Sequence, residues 1–89
     1  MARPLFPLGR VVSTPGALET FNHDFILDCI QRHMAGDWGT VDKTDRAEND
    51  WAVNNEARIL SAYEQDGKRL WVITESDRSS TCVMLPSEY

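Results

Sequence analysis

The sequence lacks the features that mark export, membrane insertion and nucleic-acid binding. It has no run of about 18 apolar residues, and its start lacks the apolar stretch and cleavage site of a secretory signal. Lys and Arg number 9 against 14 Asp and Glu, so the net charge of −5 offers little attraction to phosphate backbones or anionic membranes. These absences favour a soluble cytoplasmic protein that binds neither nucleic acid nor membrane.

Cysteine is also scarce. A small secreted domain stabilised by disulfides usually has more than the two present, Cys29 and Cys82. Both are expected to be buried, reduced thiols, since neither has the spacing of a redox or zinc motif. No G-x-S-x-G, glycine-rich phosphate loop or H-E-x-x-H motif occurs. We therefore expect no metal and no cofactor.

The first half of the chain predicts a mostly helical region. Proline and glycine within residues 1–9 indicate an extended arm, residues 10–13 an edge strand, and residues 17–21 a short helix. Apolar residues recur at helical spacing over residues 24–34, with Asn22 or Asp24 as the cap and Gly36 at the left-handed stop.

A further helix is predicted to begin near Asp42 or Thr44. Its apolar stripe is thin, and acidic and amide residues flank it. We expect this helix to lie on the surface, with Trp51 as its anchor in the core.

The last third predicts an antiparallel meander over residues 58–64, 69–75 and 80–85. Asp66-Gly67 is the signal of a type I′ hairpin, which sets the register. In this register Glu64 faces Arg69 at one end of the ladder, and Arg58 faces Glu75 at the other end. The remaining predicted pairs are Gln65–Lys68, Ala62–Trp71, Leu60–Ile73, Trp71–Met84 and Ile73–Cys82.

The period of two divides this meander into two faces. The first face is the more continuously apolar and is expected to carry the helices; it holds Leu60, Ala62, Trp71, Ile73, Cys82 and Met84. The second face is too apolar for water alone, so either the N-terminal arm and strand or another chain should cover it. It holds Ile59, Ser61, Tyr63, Leu70, Val72, Thr74, Thr81, Val83 and Leu85. The predicted fold is one α+β domain over residues 1–89.

Two pairs of residues could carry chemistry. His33 and Asp37 lie four residues apart at a helix end, and an imidazole beside a carboxylate is the minimal part of a general base. The alternative is a half-buried histidine near the last helical carbonyls, where positive charge is favoured. Asp77 and Arg78 could position an anionic ligand, or Asp77 could satisfy its own turn while Arg78 pairs with a carboxylate.

Tryptophan is the other candidate for recognition. Trp38 lies between glycines in a connection, so it either fills the core or contacts a partner. The candidate partner-binding residues are Trp38, Asp37, Tyr63, Asp77 and Arg78.

Much of the chain resembles a family of small uncharacterised bacterial proteins carried on plasmids, integrative elements and prophages, some of them labelled restriction-modification subunits. The resemblance lies in LGRVVSTPGAL (8–18), HMAGDWG (33–39), LSAY (60–63), LWVITESDRSST (70–81) and LPSEY (85–89). It implies no activity, and 89 residues are too few for a methyltransferase with its cofactor fold.

These observations favour a non-enzymatic accessory protein of a mobile genetic element that binds another protein, with a regulatory or anti-defence role. Its acidity fits a basic partner surface. The alternative is a small hydrolase or nuclease-like enzyme that uses His33, Asp37, Asp77 and Arg78 at one concave site. A third possibility is a homodimer through the second face.

Overall fold

The computed structural model describes residues 4–89 and confirms an α+β fold. Three α-helices lie in the described part of the chain, and four strands form its sheet. In chain order these elements are β1 (Arg10–Ser13), α1 (Pro15–Thr20), α2 (His23–Met34), α3 (Lys43–Ala52), β2 (Ile59–Gln65), β3 (Lys68–Thr74) and β4 (Ser80–Met84), followed by a 3-10 turn (Pro86–Glu88).

Each helix begins at a polar side chain that accepts a hydrogen bond from a backbone N–H three residues later. Thr14 caps α1 at 3.1 Å, and Asn22 and Asp42 cap α2 and α3 at 2.8 Å each. Such caps satisfy donors that have no partner inside the helix. After α2, Gly36 adopts a φ of +89°, which confirms the predicted stop.

The predicted hairpin is confirmed in turn and register. Asp66 and Gly67 have φ of +54° and +76°, as a type I′ turn requires, and Glu64 pairs with Arg69. The guanidinium of Arg58 lies 3.2 Å from the carboxylate of Glu75, so the charges flanking the ladder also meet. The predicted register of β4 on β3 is confirmed as well.

The sheet has the strand order β1-β4-β3-β2, so β1 is the fourth strand that the sequence predicted. It runs parallel to β4, with Arg10 opposite Ser80 and Ser13 opposite Val83. The two strands that are farthest apart in sequence are therefore neighbours, and β1 and β2 form the two edges.

The helices pack on the second face of the meander and not on the first, contrary to the sequence prediction. Tyr63, Leu70, Val72 and Val83 of that face form a core with residues of α1 and α2. The residues contributed by the helical layer are Ala17, Phe21, Ile26 and Cys29. The prediction failed because Ser61, Thr74 and Thr81 made the second face look partly polar, whereas their hydroxyls are satisfied internally. No surface is left there for a homodimer.

The first face is only partly covered. Its Trp71 is half-buried, with the Tyr89 ring packed edge-on at 5.6 Å between centroids, and Arg58 donates a hydrogen bond to the Tyr89 hydroxyl. The free thiol of Cys82 on this face is also half-buried, whereas Cys29 is fully buried under α2.

The N-terminal arm contributes one side chain to the core. Phe6 is buried, and its ring lies 5.3 Å from His33 and 6.2 Å from Trp38 between centroids. Residues 1–3 of the predicted arm lie outside the described residues.

Helix α3 is attached by an amide rather than by its tryptophan. Trp51 is 60% exposed, so the prediction that it anchors the helix was wrong. The buried residues of α3 are Asn49 and Ala52, because the helix packs beside β2 and turns Asn49 toward the strand backbone. Across residues 4–89, no helix is long and apolar enough to cross a membrane.

Candidate functional site

His33 is the centre of a buried chain of hydrogen bonds. Its Nδ1 lies 2.6 Å from the hydroxyl of Ser61, and its Nε2 lies 2.8 Å from that of Thr74. The chain continues through Thr81, whose hydroxyl lies 2.7 Å from that of Thr74 and donates to the carbonyl of Leu8 at 2.7 Å. Because Thr81 donates to Leu8, Thr74 must donate to Thr81 and accept from Nε2–H of His33. Ser61 then donates to Nδ1.

This arrangement requires a neutral imidazole. Burial, together with a smaller contribution from the nearby positive charge of Arg78, lowers the pKa of His33 to about 3. His33 is completely buried, so neither ring nitrogen is available to a substrate. The prediction of a half-buried, positively charged histidine near the helix carbonyls was wrong, because strand hydroxyls occupy both nitrogens.

Asp37 pairs with Arg32 and not with His33. Its carboxylate lies 2.7 Å from Nε of Arg32 and also accepts from the backbone N–H of Gly39. The hydrogen bond from Arg32 holds the pKa of Asp37 below its usual range. The carbonyl of Asp37 accepts from the Tyr63 hydroxyl at 2.7 Å, so this residue fixes the connection after α2.

The two aromatic candidates for partner binding belong to the core. Trp38 is 3% exposed and Tyr63 is 1% exposed. The indole N–H of Trp38 donates to the carboxylate of Asp50 at 2.9 Å. Of the two predicted roles for Trp38, the structure shows the one in which it fills the core.

The turn between β3 and β4 holds the remaining candidates. Asp77 is exposed and accepts from the backbone N–H of Ser79 at 2.9 Å, which confirms its role within the turn. Arg78 donates to the carbonyls of Ala52 and Ala57 at 2.6 and 2.7 Å, where pairing with a carboxylate was expected. Arg78 thus connects the turn to the segment after α3.

The structure gives His33, Asp37 and Arg78 partners within the chain and does not bring them together at one concave site. His33 is enclosed, Asp37 is paired with Arg32, and Arg78 is bonded to backbone carbonyls. Within residues 4–89, no group of three His, Cys, Asp or Glu side chains is placed to hold a metal ion.

The edges of the sheet differ sharply. At β2, the Asn49 side chain donates to the carbonyl of Leu60 at 2.8 Å and accepts from its N–H at 3.3 Å. Two residues later, Ala62 donates to the carbonyl of Trp38 at 3.1 Å and accepts from the N–H of Thr40 at 2.7 Å. Gly39 lies between them with φ of +75°, where a Cβ would collide with Ala62. The β2 edge is therefore capped at Leu60 and Ala62.

The β1 edge is open in the described structure. Arg10 donates to the carbonyl of Ser79, just before β4, and Thr14 donates to that of Val83 in β4, both at 3.0 Å. Because backbone groups alternate in direction along a strand, Val11 and Ser13 point their N–H and C=O groups away from β4. Among residues 4–89, no strand lies beyond them.

A groove of about 240 Å³ runs beside this open edge, between β1 and the helices. Val11, Leu18 and Leu27 line it and are 43%, 46% and 56% exposed. The other lining residues are Ser13, His23, Ile26 and Ile30. Sequence analysis missed this site; the available signal was Leu27, an apolar residue outside the predicted core stripe of α2.

Exposed carboxylates follow three of the groove residues in the sequence. Glu19 follows Leu18 on α1, and Asp24 and Asp28 lie on α2; all three are exposed. The ion pairs within residues 4–89 are Arg32–Asp37 and Arg58–Glu75, so none of these three carboxylates belongs to an ion pair there.

No family model, curated protein or solved structure matches the chain.

Proposed function

We propose that the chain is a non-enzymatic protein-binding module that adds an extended segment of another protein to its sheet at β1. The observation that carries the proposal is the contrast between the two edges. Asn49 and residues 38–40 satisfy the outward backbone groups of Leu60 and Ala62 in β2, whereas Val11 and Ser13 of β1 direct theirs outward. Such an edge pairs readily with another strand.

The groove supplies apolar surface for binding, which the short β1 edge alone does not. Two outward residues offer two N–H and two C=O groups, and a typical hydrogen bond contributes only about 1 kcal/mol net. An added strand would also place alternate side chains over Leu18 and Leu27, which are now about half exposed. Burial of these side chains makes strand addition at β1 energetically favourable.

A mobile-element setting is proposed from the sequence resemblance alone. An accessory protein in that setting would act by occupying a segment of a host or element protein, in a regulatory or anti-defence role. The hydrolase alternative gains no support, because both nitrogens of His33 are bonded inside the core.

The test is selection of displayed peptides against the whole protein, followed by hydrogen exchange of the complex. The N–H groups of Val11 and Ser13 point away from β4, so they should exchange quickly in the unbound protein. Selected peptides should slow this exchange. Leu27→Gln should weaken binding severalfold, whereas Leu5→Gln, at a residue that is also half exposed but lies on the arm, should not.

If a bound peptide slows hydrogen exchange at other amides but not at those of Val11 and Ser13, the proposal is overturned. An equal loss of affinity in the two variants would do the same. Trp51→Ala is a third variant, because among the large apolar side chains of residues 4–89 only that of Tyr89 is more exposed than that of Trp51. Loss of binding in this variant would place the site on α3 and overturn the proposal.

A further inference from the structure

We infer that the segment added at β1 carries aliphatic residues at alternate positions, flanked by Lys or Arg that meet Glu19, Asp24 and Asp28. This inference rests on the proposed function, because it specifies the occupant of the same site. It is argued from the arrangement of charge around the groove.

The groove and the acidic residues lie on adjacent stripes of α2. His23, Leu27 and Ile30 recur at a spacing of three to four residues and line the groove. Asp24 and Asp28 are also four residues apart, one position further on, and lie toward solvent. Their carboxylates therefore border the outer side of the groove.

Of the basic residues that the structure describes, Arg32 on α2 and Arg10 on β1 both point away from the groove. Arg32 lies on the opposite flank of α2, with its guanidinium 4.7 Å from the Tyr63 ring centroid. Arg10 pairs with Ser80, whose neighbour two residues on, Cys82, lies on the first face; Arg10 therefore points away from the helices. The helix side of β1 is thus apolar with an acidic border.

An extended segment matches this pattern when its groove-facing residues are aliphatic. Residues two apart on a strand project to the same side, about 6.6 Å from one another. A Lys or Arg at the next position on that side would lay its aliphatic stem along the groove and place its charged end near the carboxylates.

A second copy of the chain fits this site poorly. Pairing two β1 strands would bring two borders of Asp24 and Asp28 together across the junction. Each chain also carries a net charge of −5. Like charges so placed oppose association.

The experiment compares four peptides in which the first, third, fifth and seventh residues share one side of the strand. They contain Lys-Thr-Val-Thr-Val-Thr-Lys, Gln-Thr-Val-Thr-Val-Thr-Gln, Glu-Thr-Val-Thr-Val-Thr-Glu and Lys-Thr-Ser-Thr-Ser-Thr-Lys. Affinity is measured by calorimetry at about 50 and about 300 mM NaCl, since added salt screens exposed charges. The lysine–valine peptide should bind about two- to fivefold more tightly per lysine than the glutamine peptide at low salt. The glutamate and serine peptides should bind most weakly.

Two double variants of equal charge separate a local effect from a general one. Asp24→Asn with Asp28→Asn should abolish the preference for lysine over glutamine. Asp45→Asn with Glu48→Gln, on the exposed face of α3, should retain it. If both double variants lose the preference for lysine to the same extent, only the net charge of the protein matters and the inference is overturned.

Hydrogen exchange distinguishes the two proposals. Protection of Val11 and Ser13 by all the valine peptides, with no charge preference, would refute the basic segment and leave strand addition standing. Exchange that no peptide changes would overturn both. A dimer in sedimentation with these amides already protected would show that a second copy occupies the edge, which also overturns the inference.

Discussion

The imidazole of His33 donates from Nε2 to the hydroxyl of Thr74 across 2.8 Å, inside the core. The direction of this hydrogen bond is fixed by Thr81, because its hydroxyl donates its only proton to the carbonyl of Leu8. One histidine therefore joins α2 to three neighbouring elements: β2 through Ser61, β3 through Thr74 and, through the linked threonines, β4.

Acid should destabilise the protein through His33. The unfolded chain takes up a proton near the ordinary histidine pKa of 6.5, whereas the folded chain takes it up only near 3. Between these values the unfolded state binds more protons, so stability falls as pH falls. The loss from this group should be about 3 kcal/mol by about pH 4, measured by urea unfolding at a series of pH values.

His33→Gln should remove this part of the pH dependence, since its amide can accept from Ser61 and donate to Thr74 without titrating. His23→Gln, at an exposed histidine, is the matched control and should retain it. If the free energy of unfolding changes with pH in the same way for wild type and His33→Gln, the assignment of His33 as a neutral, buried imidazole is contradicted.

Trp38 and Trp51 should differ greatly in their effect on stability. Trp38→Ala removes a buried ring and should cost about 3–5 kcal/mol. Trp51→Ala removes a ring that is 60% exposed and should cost less than about 1 kcal/mol. Chemical denaturation gives both values, and equal costs would place Trp51 in the core after all.

Asn49 should protect the β2 edge. Asn49→Ala leaves the N–H and C=O of Leu60 without their side-chain partner, at a cost of about 1–3 kcal/mol. It should also promote aggregation, because the freed edge can pair with other chains. Asn54→Ala, at an exposed asparagine, is the control; light scattering that rises equally in both variants would remove Asn49 from this role.

Arg78 should matter for stability, whereas its neighbour Asp77 should matter little. Arg78→Ala leaves the carbonyls of Ala52 and Ala57 without their charged donor, and about 2–3 kcal/mol should be lost. Arg78→Lys should recover only part, because an ammonium lacks the planar fork. Asp77→Ala should lower stability much less than Arg78→Ala, because the Asp77 side chain is exposed and bonds only within its own turn; thermal unfolding that ranks Asp77 above Arg78 would reverse this assignment.

Local signals in the sequence were sufficient to predict the hairpin between β2 and β3 and the helix caps. Asp66-Gly67 determines the β2–β3 register by its own backbone preference, and Asn22 and Asp42 cap their helices through neighbours three residues away. The choice of face depended instead on a distant partner. Ser61 and Thr74 lie in the core because His33, from another element, satisfies their hydroxyls.

The candidate site could be predicted only in part for the same reason. The role of Asp77 is local to its turn and followed from residue type. The groove is formed where β1, α1 and α2 meet, and no single stretch of sequence contains it. The open edge at Val11 became visible only once β1 was found beside β4 and the opposite edge was found capped.

The parallel pairing of β1 with β4 affects how the chain folds during synthesis. Arg10 meets Ser80, seventy residues later, so β1 must wait for β4 to leave the ribosome before it can pair. Until then the nascent chain has neither the open β1 edge nor the groove beside it. A ligand that recognises this surface would thus bind only those chains in which β4 has already been made and has paired with β1.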